Sequence, residues 1–105
     1  MSAVAHPRPG DVLVRDFLKP LSLSKARVAE RIGVRPARIS EIVSGQRAIS
    51  AELGLRLSVY FGTPDGYWTD LQSAYDLWQT RLRIADELAS IIPLKCTAPK
   101  RADPG

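Results

Sequence analysis

Apolar positions in this chain recur every three or four residues, and no useful length of it alternates with the two-residue period of a strand. The segment GDVLVRDFLKPL places Leu13, Val14, Phe17, Leu18 and Leu21 on one helical face. Asp11 falls in the first turn, where acid complements the helix dipole, and Pro20 is a stop. Ser24 is a good N-cap for a second helix with Val28, Ala29 and Ile32 inward, and Gly33 suits its left-handed end. Pro36 fits the first turn of a third helix that runs to about Ser44 and stops at Gly45. Ser50 caps a fourth, with Leu53, Leu57, Tyr60 and Phe61 inward and Gly62 closing it. Thr63-Pro64 opens a fifth and longest helix. There Trp68, Leu71, Tyr75, Trp78, Leu82, Ala85, Ala89 and Ile92 follow 3-4-3-4 spacing, an a/d seam that Pro93 ends. The pattern predicts an all-α bundle over residues 10 to 62 with a long C-terminal helix attached.

The second and third helices have the spacing of a helix-turn-helix. With Lys25 as the first position, the fifth is Ala29, small enough for the third helix to cross close above it. The ninth is Gly33, whose positive φ turns the chain within three or four residues. Val28, Ile32, Val34, Ile39 and Ile42 fall at the apolar positions that pin the two helices together. The predicted organisation is therefore a flexible N-terminus over 1–9, a helix-turn-helix domain with its long helix over 10–92, and a mobile basic tail over 93–105.

At 100° per residue, Ala37, Glu41 and Ser44 lie opposite Ile39, Ile42 and Val43 on the third helix, with Arg38 and Ser40 flanking them. Short and hydrogen-bonding side chains bordered by cations suit a major groove. Ala37 would meet a thymine methyl, Glu41 would accept from cytosine N4, and Arg38 would reach guanine or phosphate. Arg35 before the helix, Gln46 and Arg47 after it, and Lys25 and Arg27 at the start of the second helix are placed for phosphate contacts, which position without reading sequence. A plainer alternative has the arginines solvating a surface and Glu41 pairing with Arg38 or Lys25.

Charge strengthens the first reading. The net charge of +4 is modest, but between Lys25 and Arg47 six Lys or Arg stand against two Glu, so that window carries all of it. The 105 residues, 45% hydrophobic and 25% charged, describe one small globular domain. Cys96 is the only cysteine, which excludes an intramolecular disulfide and a cysteine metal cluster. His6 has no second ligand near it in sequence, and Asp11 and Asp16 read as solvated. There is no phosphate loop and no nucleophile elbow, so no enzyme, metal or cofactor is expected. No apolar run approaches a membrane span, and MSAVAHPRPG lacks a signal peptide's features, so a cytoplasmic protein is expected.

Near the bundle, Trp68 and Leu71 would serve as core. Farther along, Tyr75, Trp78, Leu82 and Ala85 need another surface, because a domain of this size cannot cover the whole helix. A second copy and a partner protein both satisfy that need. A two-fold dimer also matches two half-sites about one DNA turn apart.

From His6 to Leu77 the chain resembles the HigA antitoxins, a branch of the xenobiotic-response-element type of helix-turn-helix proteins. The likeness rests on HP…G near the start, FL.PL before the second helix and RISEIV.G.R across the third, then GLRLSVYFGT and finally YW.DLQ.AYDL. The resemblance implies a five-helix, lambda-repressor-like bundle. It also implies a homodimer that binds double-stranded operator DNA, represses its own operon and neutralises a cognate toxin, typically a ribosome-dependent mRNA endonuclease. The family's recognition-helix positions fall on Arg35 through Ser44, followed by Gln46 and Arg47. Pro36 stands where family members commonly carry a polar residue, and the segment beyond Leu77 lies past the likeness. Two other readings stay open at this point: a repressor of the same fold without a toxin, and a helical interaction module that does not bind DNA.

Overall fold

The computed structural model describes residues 6–94, and every regular element among them is a helix. Residues 1–5 of the expected flexible N-terminus, and the tail from residue 95 on with Cys96, lie outside the described residues. α1 (Pro9–Val12) begins with proline at its first position, where a missing N–H costs nothing. It runs straight into a π-helical stretch, Leu13–Leu18, whose hydrogen bonds span five residues rather than four. The Lys19 amide donates to the Val14 carbonyl at 3.0 Å. This stretch corrects one expectation. Leu13 and Leu18, five residues apart, are buried, but Leu21 is 56% exposed, because the helix ends at Leu18 and Leu21 falls in the turn that runs on through Ser22 at φ 54°.

The next three helices begin and end where their caps predict. α2 (Lys25–Ile32) starts at Ser24, whose Oγ accepts from the Arg27 amide at 3.0 Å, and ends at Gly33 in the left-handed conformation. α3 (Pro36–Ser44) carries proline at its start and closes at Gly45, φ 84°. α4 (Ala51–Phe61) is capped by Ser50, accepting from the Leu53 amide at 3.2 Å, and closes at Gly62. Tyr60, expected inward, lies at the surface. α5 (Tyr67–Arg83) starts three residues after Pro64, and Trp68 in its first turn is the largest fully buried side chain.

The core is continuous. Leu13, Val28, Ala29, Ile39, Leu53, Leu57 and Trp68 are wholly buried, with Val12, Leu18, Ile32, Ile42 and Ile49 nearly so. Burying a side chain of the size of leucine or isoleucine stabilises by about 1.5–3 kcal/mol relative to exposure. Phe17 closes the cluster, its ring 4.7 Å from that of Phe61 and 5.1 Å from that of Trp68, both tilted. Ser58 is the one polar side chain buried here, and it is satisfied. Its Oγ donates to the Pro64 carbonyl at 2.9 Å and accepts from Thr63 Oγ1 at 3.0 Å, which ties down the loop into α5.

One glycine sets how the recognition unit sits on the bundle. A Cβ on Gly10 would strike the carbonyl oxygen of Ile42 and come within 2.8 Å of Val43 Cα. Only glycine lets α1 approach the α3 backbone so closely.

The long helix expected to reach Ile92 is not continuous. α5 ends at Arg83, Ile84 leaves helical geometry (φ −113°, ψ 28°), and a short α6 (Ala85–Ala89) follows. The charges fit this break. Arg81 and Arg83 occupy the last turn of α5, where the dipole favours cations, and Asp86 and Glu87 occupy the first turn of α6, where it favours anions. Heptad counting over the apolar residues passed over that signal. The break takes Ala85, Ala89 and Ile92 off a single seam with Trp78 and Leu82. The molecule is elongated, 53 × 25 × 23 Å.

Candidate nucleic-acid interface

The angle between α2 and α3 is held from three sides. Gly33, φ 79°, makes the turn, and the Val34 amide returns to the Ala29 carbonyl at 2.9 Å. Ala29, wholly buried, leaves room for α3 to pack on α2. The third support comes from α4. Arg56 Nη1 donates to the Ile32 carbonyl at 2.7 Å, capping the end of α2, while its Nη2 meets Glu52 at 3.0 Å. Arg56 and Glu52 drew no attention in the sequence, because Arg56 lies 24 residues from the carbonyl it caps.

With Ile39 and Ile42 locked inward, the outer face of α3 follows by geometry. Ala37, Ser40 and Ser44 are exposed, and Arg35 stands free at the head of the helix. Arg38 is half-buried, and its Nε has no hydrogen-bond partner among the described residues. Glu41 is also half-buried, and it has a partner: Arg47 Nε donates to Glu41 Oε1 at 2.6 Å. Neither Arg38 nor Lys25, the partners weighed from sequence, makes that pair. The same residue anchors the turn beyond α3, since its carbonyl accepts from the amides of Gln46 (2.8 Å) and Arg47 (3.3 Å) and from Ser44 Oγ (3.2 Å). Glu41 thus presents Arg47 at the end of the helix, and a half-exposed pair of this kind contributes at most about 1 kcal/mol to stability.

The cations gather on this side. Arg35, Arg38, Arg47 and Arg56, with Glu52, line a cleft of about 360 Å³ beside the turn between α2 and α3. Four guanidinium groups against one lining carboxylate make a concave, positive wall. Arg8, absent from the sequence-based site, lies against Gly45 and lines a second, smaller cleft with Gln46 and Arg47. Lys25 and Arg27 are exposed at the start of α2, where Arg27 also approaches Glu30 at 3.7 Å. Hydrogen bonding to Arg15 holds the Asp16 carboxyl below the usual carboxylate range, and Asp11 raises Arg8 in turn.

The apolar stripe divides into two populations. Trp68 is core, so it is withdrawn from any intermolecular surface, and Leu71 packs against that core. Tyr75 and Trp78 are half-buried, their rings 6.0 Å apart, with the His6 ring 6.2 Å from Trp78. Leu82 and Ala85 are exposed, as is Leu77, which the heptad seam had left out. The described residues contain no group of three His, Cys, Asp or Glu able to hold a metal, and none of their helices is long and apolar enough to cross a membrane.

Two short helices fixed at a glycine turn, the second with a polar, cation-bordered outer face, define a helix-turn-helix protein. The helix-turn-helix family model matches residues 14–68. Virulence-associated protein I of Dichelobacter nodosus is 41% identical over 90 residues, covering 86% of this chain and 82% of that protein. Antitoxin HigA-1 of Vibrio cholerae is 31% identical over 85 residues, covering 81% and 80%. The structure of the Pseudomonas aeruginosa antitoxin HigA with the higBA promoter superposes with a TM-score of 0.80 at 32% identity, covering 90% of this chain and all of that one. The chain belongs to the HigA-type helix-turn-helix antitoxins. That is a family of DNA-binding proteins and not a known enzyme family.

Proposed function

We propose that this protein binds, as a homodimer, an operator beside its own gene, represses that operon, and neutralises a cognate toxin that is a ribosome-dependent mRNA endonuclease. It works in the cytoplasm and without catalysis. The observation that carries the DNA reading is the outer face of α3, where Ala37, Ser40 and Ser44 are uncovered and Arg35, Arg38 and Arg47 surround them. In this reading α3 lies in the major groove, with Ala37, Arg38, Ser40, Glu41 and Ser44 toward base edges. Lys25, Arg27, Arg35, Gln46 and Arg47 hold phosphates. Glu41 offers a base only its second carboxylate oxygen while Arg47 takes the first, so the two act as one unit. The exposed parts of α5 and α6 supply the surface for other proteins. Likeness to a HigA solved with its promoter supports the DNA partner, and the antitoxin relatives support the toxin.

The test is a fluorescence-anisotropy titration on duplex from immediately upstream of the reading frame, against random duplex of equal length, over a salt series. A preference of about a thousand-fold or more at near-physiological salt is expected. Weak, equal binding that vanishes with salt would overturn the reading. Arg38→Ala is expected to weaken operator binding by about 1–3 kcal/mol and to relax discrimination at one position. An equal loss on random duplex would make Arg38 a phosphate contact instead. Co-expression with the adjacent small basic reading frame tests the toxin: the two proteins should co-purify, and ribosome-dependent mRNA cleavage should cease when this protein is added.

A further inference from the structure

Among the apolar surfaces that the described residues leave to solvent, two stand out, and neither covers the other. The first is a groove between the end of α2 and the outer side of α4, about 380 Å³, lined by Leu55, Val59 and Tyr60, with Arg31 and Arg56 on its rim. The second is the end of the α5–α6 arm, where Leu88, Ile91, Ile92 and Leu94 are all exposed just beyond Asp86 and Glu87. We propose that in the dimer the α6 end of each copy lies in the α4 groove of the other. This rests on the dimeric reading above and on no DNA contact.

Three observations select that occupant. The surfaces are alike in chemistry, exposed aliphatic side chains joined in the groove by Tyr60, and burying them on each other removes both from water. Their charges are complementary, since the groove has an arginine rim and the arm carries Asp86 and Glu87. Among the described residues, none of Arg31, Asp86 and Glu87 makes an ion pair. The third is shape. α5, at 17 residues, is about 25 Å long, α6 packs on α5 and has no buried residue, and the molecule is 53 Å long against 25 × 23 Å across. Exchange about a two-fold axis uses both surfaces of both copies and closes the assembly, which leaves no apolar end free to add further chains. A toxin seated in the groove is the rival occupant, and the test separates the two.

The experiment measures mass in solution by light scattering, without DNA. Wild-type protein is expected at about twice the 11.5 kDa of one chain. Val59→Asp and Ile92→Asp should each halve that mass. The two positions are 81% and 88% exposed, so the fold itself is not at stake, and circular dichroism should stay unchanged. In a Cys96→Ser background, a short bismaleimide should link Val59→Cys to Ile92→Cys when the two variants are mixed, and should link neither variant to itself. A wild-type monomer would overturn the dimeric reading. A wild-type dimer whose mass Val59→Asp leaves unchanged would overturn the exchange alone and leave the groove to another protein. Self-linking of Val59→Cys would also overturn it, by placing two α4 helices face to face.

Discussion

The bundle and the arm have the same hydrophobic period and opposite fates. In α4, Leu53 and Leu57 end with no exposure, because α5 lies over them and α2 packs beside them. In the arm, Trp78 and Leu82 keep the same four-residue step, yet Trp78 is only half-buried and Leu82 is exposed. A 3.6-residue period states that one face of a helix is apolar. It does not state what covers that face, which depends on whether another element of the same chain is within reach. The bundle is therefore self-sufficient, while the arm has apolar surface left for another molecule.

This contrast can be broken by substitution, and the largest effect belongs to the bundle. Trp68→Ala should cost about 3–5 kcal/mol, since it empties the centre of the core. A urea titration would show it as a lower midpoint, and a loss below 1 kcal/mol would mean that Trp68 belongs energetically with the arm. Gly10→Ala should cost about 1–3 kcal/mol, because the new Cβ meets backbone at Ile42 and Val43 that has no room to yield. It should also weaken operator binding, since α1 and α3 must separate. Unaltered thermal stability in this variant would contradict the packing described for Gly10. Glu41→Gln should change stability by less than about 1 kcal/mol but alter operator preference in the anisotropy assay, because Arg47 loses its charged anchor. The smallest expected effect is Leu82→Ala, within about 0.5 kcal/mol of wild type in urea at concentrations where the protein is monomeric. A loss of 2 kcal/mol there would show that the arm is already covered within one chain.

The candidate interface was legible in part. The period of α3 and the chemistry of its residues were enough to place Ala37, Ser40 and Ser44 outward. Arg38 and Glu41 were placed on the correct side of the helix, but their half-burial and the Glu41–Arg47 pair were not readable, because that pair spans the turn at Gly45. Arg56 and Arg8 were missed for a related reason. Each reaches the interface from an element outside the helix pair, Arg56 by capping Ile32 and Arg8 by lying against Gly45.

By itself, the sequence determined the helices of the bundle and where the middle three begin and end. Ser24 with Gly33, Pro36 with Gly45, and Ser50 with Gly62 are local signals, acting on backbone groups within one turn, and they need no tertiary partner. The charges that flank the break at Ile84 are equally local, although the apolar count obscured them. Tertiary structure decided which apolar faces are covered. Trp68 filled the core while Tyr60 stayed at the surface, Leu21 fell in the turn beyond the π-helical stretch, and Gly10 let α1 close on α3. It also decided the long-range bonds, such as Gln72 accepting from the Ile49 amide at 2.9 Å. Such contacts join residues more than twenty apart, and only the packing of whole elements brings their atoms within bonding distance.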